Sequence, residues 1–104
     1  MILYIDTKDR KQITVSLKKD GKIVKSLSKE NEFGSQVLLP LIMKLLKTAG
    51  LRRGGELSTL QGIEVEIGPG SFTGLRVGVS VANALGFSLG IPVNGKKIET
   101  ELVY

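Results

Sequence analysis

The stretch GPGSFTGLR, residues 68–76, constrains the fold of this chain more than any other segment. It joins an alternating apolar run at residues 63–67 to a long segment with few charges at residues 75–89, and this order predicts a strand, a tight turn and a helix. Ser71 is placed to cap the helix, because its hydroxyl can accept a hydrogen bond from an amide of the first turn. The main-chain amides that begin such a helix also form a candidate anion site near Gly70.

The glycines of this turn do not match two common nucleotide-binding motifs. Gly68-x-Gly70-x-x-x-Gly74 is one residue longer than the dinucleotide fingerprint, and Asn94 stands where that fingerprint places a ribose-binding acid. No Gly-Lys-Ser/Thr sequence follows, as a P-loop requires. A bound nicotinamide cofactor and a Walker-type NTPase are therefore not expected, and we predict no cofactor.

The absence of two residue types limits the chemistry. The 104 residues include no cysteine and no histidine. Zinc or iron sites built on these ligands are excluded within one chain, as are the Ser-His and Cys-His nucleophile systems. The length suits one domain with one modest core. The sequence therefore argues against an independent hydrolase, and we predict no catalytic or metal-binding residue.

The net charge of +5 has two interpretations. It can attract the phosphate backbone of RNA, or it can serve solubility alone. The basic residues are spread along the chain and the few aromatic residues do not alternate with them, so there is no stacking platform for single strands. Solubility is the preferred interpretation, and a basic RNA-binding module remains a lesser alternative.

Residues 72–93 are long enough to raise the question of a membrane span. Arg76 lies in the first turns of this segment, Ser80 and Asn83 dilute its apolar character, and Pro92 ends it. We therefore expect a helix buried in a soluble domain. The resulting expectation is a cytoplasmic protein with no membrane contact.

A β-hairpin is predicted in the first third of the chain. Residues 13–17 alternate apolar and polar side chains, which is typical of a half-buried strand. Asp20-Gly21 predicts a tight primed turn. The return strand at residues 22–28 is more polar, so we place it at the sheet edge, where Lys25 discourages pairing with other chains.

The remaining elements complete an α/β pattern of the order βββαβαβ. Residues 2–5 suit a central strand, and residues 35–49 predict a helix whose start is delayed or whose axis is kinked by Pro40. A basic loop at residues 51–59 is the predicted connection to the fourth strand. Further strands are predicted at residues 60–67 and 91–93.

Glu64 and Glu66 lie on one face of the predicted fourth strand. Unpaired buried carboxylates would be costly, so this face is either wet or met by basic residues. Paired carboxylates can also act in acid-base catalysis. Two glutamates at this spacing on a strand are more often a solvated face, and that interpretation is preferred.

A stripe of small residues recurs every four positions along the predicted second helix: Gly74, Gly78, Ala82, Gly86 and Gly90. Interior glycines destabilise a helix by about 1 kcal/mol each relative to alanine, so a close neighbouring backbone is the expected compensation. That neighbour is either the sheet of the same chain or another subunit. The sequence leaves the two alternatives open.

The sequence GPGSFTGLRVGVSVANAL resembles the signature of the TsaB (YeaZ) family, which is related to the glycoprotease-like TsaD family. The opening ILYIDT, the helical SQVLLPLI and the later GIPV extend this similarity in order and spacing. The resemblance implies a ribonuclease H-like lobe of the actin/Hsp70 (ASKHA) superfamily, with a mixed five-stranded sheet and packed helices. Residues 1–104 would form a single N-terminal domain without the second lobe of the family.

The same resemblance implies a non-catalytic partner that binds and activates a TsaD-like protein. TsaD-like proteins transfer a threonylcarbamoyl group to the adenosine next to the anticodon (t6A), and a TsaE-like ATPase joins that assembly. The chain would meet tRNA only through the complex and would form a homodimer when alone. The docking surface carried over by position consists of Leu38, Leu41, Ile42, Leu45, Gly74, Arg76, Val77, Gly78, Val81 and Ala82.

The alternative function is a nucleotide- or anion-binding half-lobe. In actin-like ATPases the first strand ends in an acidic turn that approaches phosphate, and the resemblance suggests this position for Asp6 and Thr7, opposite Gly70 and Ser71. The simpler interpretation is that Asp6 caps a turn. We prefer the latter, because the superfamily cleft needs two lobes.

Overall fold

A single mixed sheet and two helices form the described part of the chain. The computed structural model describes residues 1–9, 11–30, 35–50 and 60–100. The predicted loop at residues 51–59 lies outside these ranges. In chain order the elements are β1 (Ile2–Asp6), β2 (Gln12–Lys19), β3 (Lys22–Glu30), α1 (Ser35–Thr48), β4 (Gly62–Val65) and α2 (Phe72–Leu89). The α/β class and the order βββαβα are confirmed.

The sheet has the order β3-β2-β1-β4. Strands β1, β2 and β3 are antiparallel neighbours, whereas β4 runs parallel to β1. The predicted hairpin turn is confirmed, since Asp20 and Gly21 both adopt positive φ angles, of 54° and 79°. β3 is an edge strand, as predicted.

The segment predicted as a fifth strand forms only an isolated bridge. Val93 pairs in parallel with Ile63, on the edge of β4 away from β1. At Asn94 the backbone leaves the extended conformation of a strand and adopts a φ angle of 52°. Its side-chain amide takes the next place in the ladder, accepting from the Val65 amide (2.9 Å) and donating to the Val65 carbonyl (3.0 Å). The described sheet therefore has four strands, because a side chain replaces the backbone that would extend the fifth.

The core lies between one face of the sheet and the two helices. Leu3 and Ile5 of β1 and Val15 of β2 are fully buried there, as are Ile42 and Leu45 of α1. Helix α1 packs over β2 and β3, α2 packs over β4 and β1, and the helices contact each other. This arrangement places the start of α2 above the end of β1.

Each helix ends at a left-handed glycine, and α1 accommodates its proline. Helix α1 begins at Ser35 and continues through Pro40 to Thr48. Gly50 follows with a φ of 80°, and Gly90 ends α2 with a φ of 69°. Across the ranges that the structure describes, neither helix combines the length and apolar character that a membrane crossing needs.

Candidate functional site

The turn before α2 is held against the turn that follows β1. The Ser71 amide donates to the Lys8 carbonyl (2.8 Å), and the Ser71 hydroxyl accepts from the Gly74 amide (3.3 Å). The predicted cap is therefore confirmed. A Cβ at Gly70 would lie only 2.6 Å from the Lys8 Cβ, so a larger residue would push the turns apart. The Ser71 amide, one of those predicted to face an anion, is engaged by the chain itself.

Thr7 is the residue on which the start of α2 rests. Its side chain is buried, with 1% exposure, and its hydroxyl donates to the Gly74 carbonyl (2.6 Å). Asp6 accepts from the Lys8 amide (3.1 Å), as an acid that caps a turn does. The structure thus brings Asp6, Thr7, Gly70 and Ser71 together around Lys8. Their nucleotide-binding role stays a prediction.

The small-residue stripe faces the chain's own sheet. A Cβ added at Gly74 would clash with the Thr7 carbonyl, and one added at Gly78 would clash with the Thr7 hydroxyl. At the other end, a Cβ on Gly86 would lie 2.6 Å from Val93 Cγ2 and 2.9 Å from the Ile91 carbonyl. Close packing within the chain therefore accounts for Gly74, Gly78 and Gly86, whereas Gly90 is exposed and serves as the left-handed C-cap of α2. Of the two alternatives that the sequence left open, the structure supports the internal one.

Several residues predicted to form the docking surface lie inside the chain. Leu38, Ile42 and Leu45 have no exposed area and Leu41 is 7% exposed, because they pack from α1 onto the sheet. On α2, Ala82, Gly74 and Gly78 are buried as well. These seven positions are buried within this chain, and their part in docking stays a prediction.

The exposed side of α1 presents apolar residues that the sequence prediction missed. Leu39 is 43% exposed and Met43 is 62% exposed, and half-buried Leu46 lies one turn further along the same flank. The opposite flank, with Pro40 and Lys44, borders β3. Since α2 is the other neighbour of α1, Leu39, Met43 and Leu46 lie on the flank towards α2. On a helical wheel, these three residues form a second apolar group beside the core positions, and this pattern would have identified them.

Helix α2 contributes Val77 and Val81 to the same region. Both are half-buried and lie one turn apart. Asn83 marks the opposite flank of α2, where it bonds the backbone of Glu99. Val77 and Val81 therefore lie on the flank towards α1. We call Leu39, Met43, Leu46, Val77 and Val81 the helix-pair surface. Predicted Arg76 is exposed on α2 outside this surface.

The face of the sheet opposite the core carries a network of charged side chains. Lys18 pairs with Glu64 (3.0 Å) and lies 4.4 Å above the Tyr4 ring, while Lys8 lies 3.7 Å from Glu66. The Tyr4 hydroxyl donates to Glu66. Basic residues thus meet both glutamates, which is one of the two predicted arrangements. Partial burial, together with the hydrogen bond and the charge of Glu66, raises the pKa of Tyr4 well above its usual value.

The region from β3 through the signature turn to α2 matches a family of known proteins. The family described as TsaD, tRNA N6-adenosine threonylcarbamoyltransferase, matches residues 28–95. The tRNA threonylcarbamoyladenosine biosynthesis protein TsaB of Buchnera aphidicola is 35% identical over 97 residues, covering 91% of this chain and 43% of that protein. A tRNA N6-adenosine threonylcarbamoyltransferase of Syntrophus aciditrophicus is 43% identical over 60 residues, covering 58% of this chain and 17% of that protein.

A solved structure shares the same fold. YeaZ from Pseudomonas aeruginosa superimposes with a TM-score of 0.73 at 34% identity, over 88% of this chain and 40% of that chain. The chain therefore spans less than half the length of each relative compared.

Proposed function

The chain belongs to the TsaB (YeaZ) family, related to TsaD, and from that premise we propose that it is a non-catalytic partner of a TsaD-like protein. In this role it binds and activates the TsaD-like protein during t6A synthesis in tRNA. A TsaE-like ATPase joins the complex, and the chain meets tRNA only as part of it. This function places the protein in the cytoplasm, where tRNA is modified.

The observation that carries this proposal is the helix-pair surface. Met43 and Leu39 are exposed apolar side chains one turn apart on the flank of α1 towards α2, and half-buried Val77 and Val81 lie on the flank of α2 towards α1. Contiguous apolar area of this kind marks interaction sites. Methionine adapts to different partners because its side chain is unbranched and flexible. Burial of this area against a TsaD-like protein would stabilise the complex by about 25 cal/mol for each Å² removed from water.

The side chains near the signature turn support a non-catalytic role. The Thr7 hydroxyl is committed to the Gly74 carbonyl, and the Ser71 hydroxyl to the Gly74 amide. Glu64 and Glu66 are each paired with a lysine. The sequence supplies no histidine or cysteine to activate a nucleophile. The Thr7 and Ser71 hydroxyls serve the packing of α2 on β1, whereas the two paired glutamates lie on the other face of the sheet. Neither set of contacts favours the anion-binding alternative.

Calorimetric titration of the chain with the TsaD-like protein of the same genome tests the proposal. We expect binding that Met43→Glu and Val81→Glu each weaken roughly tenfold or more, because a carboxylate would be desolvated at the interface. Val24→Glu is the matched control, since Val24 is exposed on β3, outside the helix-pair surface. Wild-type chain that does not bind, or binding equally weakened by the control, contradicts the proposal.

Two finer proposals accompany this function. Without a TsaD-like partner, the helix-pair surface joins two copies of the chain in a homodimer. The fold is the ribonuclease H-like lobe of the ASKHA superfamily with five strands. The position of Val93 supports this, because its bridge to Ile63 extends the order β3-β2-β1-β4 by one place.

A further inference from the structure

The edge strand β3 offers backbone groups for strand addition. It is nine residues long and pairs with β2 alone within the described ranges. A register shift between Leu17 and Lys18 distorts the end of the ladder nearest the hairpin turn. From Lys25 to Glu30 the pairing is regular, so the outer edge of this part is a regular template for another strand.

A groove runs beside this regular edge. It has a volume of about 280 Å³ and lies between β3 and α1. Leu27 of β3 and Val37, Pro40 and Leu41 of α1 give it an apolar floor. A groove between an edge strand and a helix is the geometry in which several domains bind extended peptides.

Lysines surround the groove. Lys25 and Lys29 share the face of Leu27, because their partners Leu17, Ile13 and Val15 all point into the core. Lys44 borders the groove from α1. In the described part of the chain, no carboxylate lies within ion-pair distance of these three lysines. The groove therefore combines an apolar floor with a positively charged rim.

We propose that this groove binds an extended acidic peptide segment of a partner protein, which adds to β3 as a further strand. Main-chain hydrogen bonds to β3 would supply affinity, and the side chains on one face of the added strand would meet both the apolar floor and the lysines. The lysines select the partner, because they attract carboxylates and repel the equally basic edge of a second copy of this chain. Lys25 thus opposes self-pairing and favours acidic strands.

The probe is a synthetic peptide about ten residues long, to match β3. Valine and glutamate take turns at every second position and threonine fills the positions between, so that the valines and glutamates all lie on the face of Leu27. Titration into the isotope-labelled chain, followed by NMR, should shift the amides of residues 25–30 and 37–44. Lys29→Glu and Lys44→Glu should each weaken binding about fivefold at low salt, as expected for a partly exposed charge contact. Lys97→Glu, an exposed lysine outside the groove, should leave affinity unchanged.

Two further peptides separate strand addition from simple charge attraction. N-methylation of alternate peptide amides should abolish binding, because the methyl groups block the backbone hydrogen bonds. The chain with Lys29→Glu and Lys44→Glu together should instead bind the same peptide with lysine in place of each glutamate, which shows that the variant folds. No shift with the first peptide, equal binding of the methylated peptide, or failure of this charge exchange overturns the proposal.

Discussion

The hydroxyl of Thr7 donates a hydrogen bond of 2.6 Å to the main-chain carbonyl of Gly74, sixty-seven positions further along the chain. Thr7 follows β1, and Gly74 lies in the first turn of α2. The contact joins the two turns at which the family resemblance is most specific. It explains why a threonine and a line of small residues occur together in this fold.

We expect Thr7→Val to destabilise the chain without changing its shape. Valine has nearly the same volume, but it removes the donor from a buried carbonyl. The free energy of unfolding should fall by about 1–2 kcal/mol, as for a lost buried hydrogen bond. Urea denaturation followed by circular dichroism measures it. Thr7→Ser keeps the hydroxyl and should recover part of the loss, whereas Thr73→Val at an exposed position should change little.

Gly78→Ala should destabilise the chain although alanine favours helices. Its Cβ would clash with the Thr7 hydroxyl, and overpacking of this kind costs about 1–3 kcal/mol. The gain in helix propensity of about 1 kcal/mol offsets only part of this. Thermal unfolding of Gly78→Ala measures the sum of the clash and the gain in helix propensity. Ser80→Ala, at an exposed position of α2, is the control in which no clash occurs. A stabilised Gly78→Ala variant would mean that the stripe faces solvent or a partner.

Tyr4 should make stability decrease at alkaline pH. Burial, and next the hydrogen bond and charge of Glu66, raise the pKa of folded Tyr4 above the usual value of about 10. Its contribution is therefore fully present below pH of about 10 and is lost as the pH rises further. Tyr4→Phe should lower stability at neutral pH and show a weaker additional loss above pH of about 10. Parallel alkaline slopes for both proteins would contradict this assignment.

Asn94 should stabilise the edge of the sheet through its side chain in addition to its backbone amide, which donates to the Ile63 carbonyl (2.7 Å). Asn94→Gly keeps the positive φ angle but removes the amide that pairs with Val65. We expect a loss of about 1–3 kcal/mol in the free energy of unfolding. Asn94→Ala should lose about 1 kcal/mol more, because alanine disfavours this conformation. Hydrogen exchange at the Val65 amide should increase in both variants.

Local patterns predicted the elements of this fold well. Alternating side chains located the hairpin strands, Asp20-Gly21 identified their turn, and Ser71 identified the start of α2. Each of these signals depends on neighbours in sequence. The predicted strand at residues 91–93 is present only as the bridge from Val93 to Ile63. Beyond it Asn94 pairs with β4 through its side chain, which no strand pattern reveals.

The candidate site was harder to predict because its contacts are distant in sequence. The spacing of Gly74 and Gly78 indicates close approach, but only the position of Thr7 shows what approaches. For α1, helical periodicity separates two faces without stating which one meets the sheet. Leu38 belongs to the buried face, whereas Met43 belongs to the exposed one. The distinction needs the positions of β2, β3 and α2.

The contrast between Met43 and Leu38 gives the last prediction, on self-association. If the helix-pair surface joins two copies, Met43→Glu should give a folded monomer, because the side chain is 62% exposed and its change leaves the core intact. Leu38→Ala should instead lower the free energy of unfolding by about 2–5 kcal/mol, since it opens a cavity in the core. While folded, this variant should associate as the wild type does. Light scattering over a concentration series, combined with calorimetry, measures mass and stability on the same samples. A wild type that stays monomeric at high concentration refutes the homodimer, and equal self-association of Met43→Glu and the wild type would place the interface elsewhere.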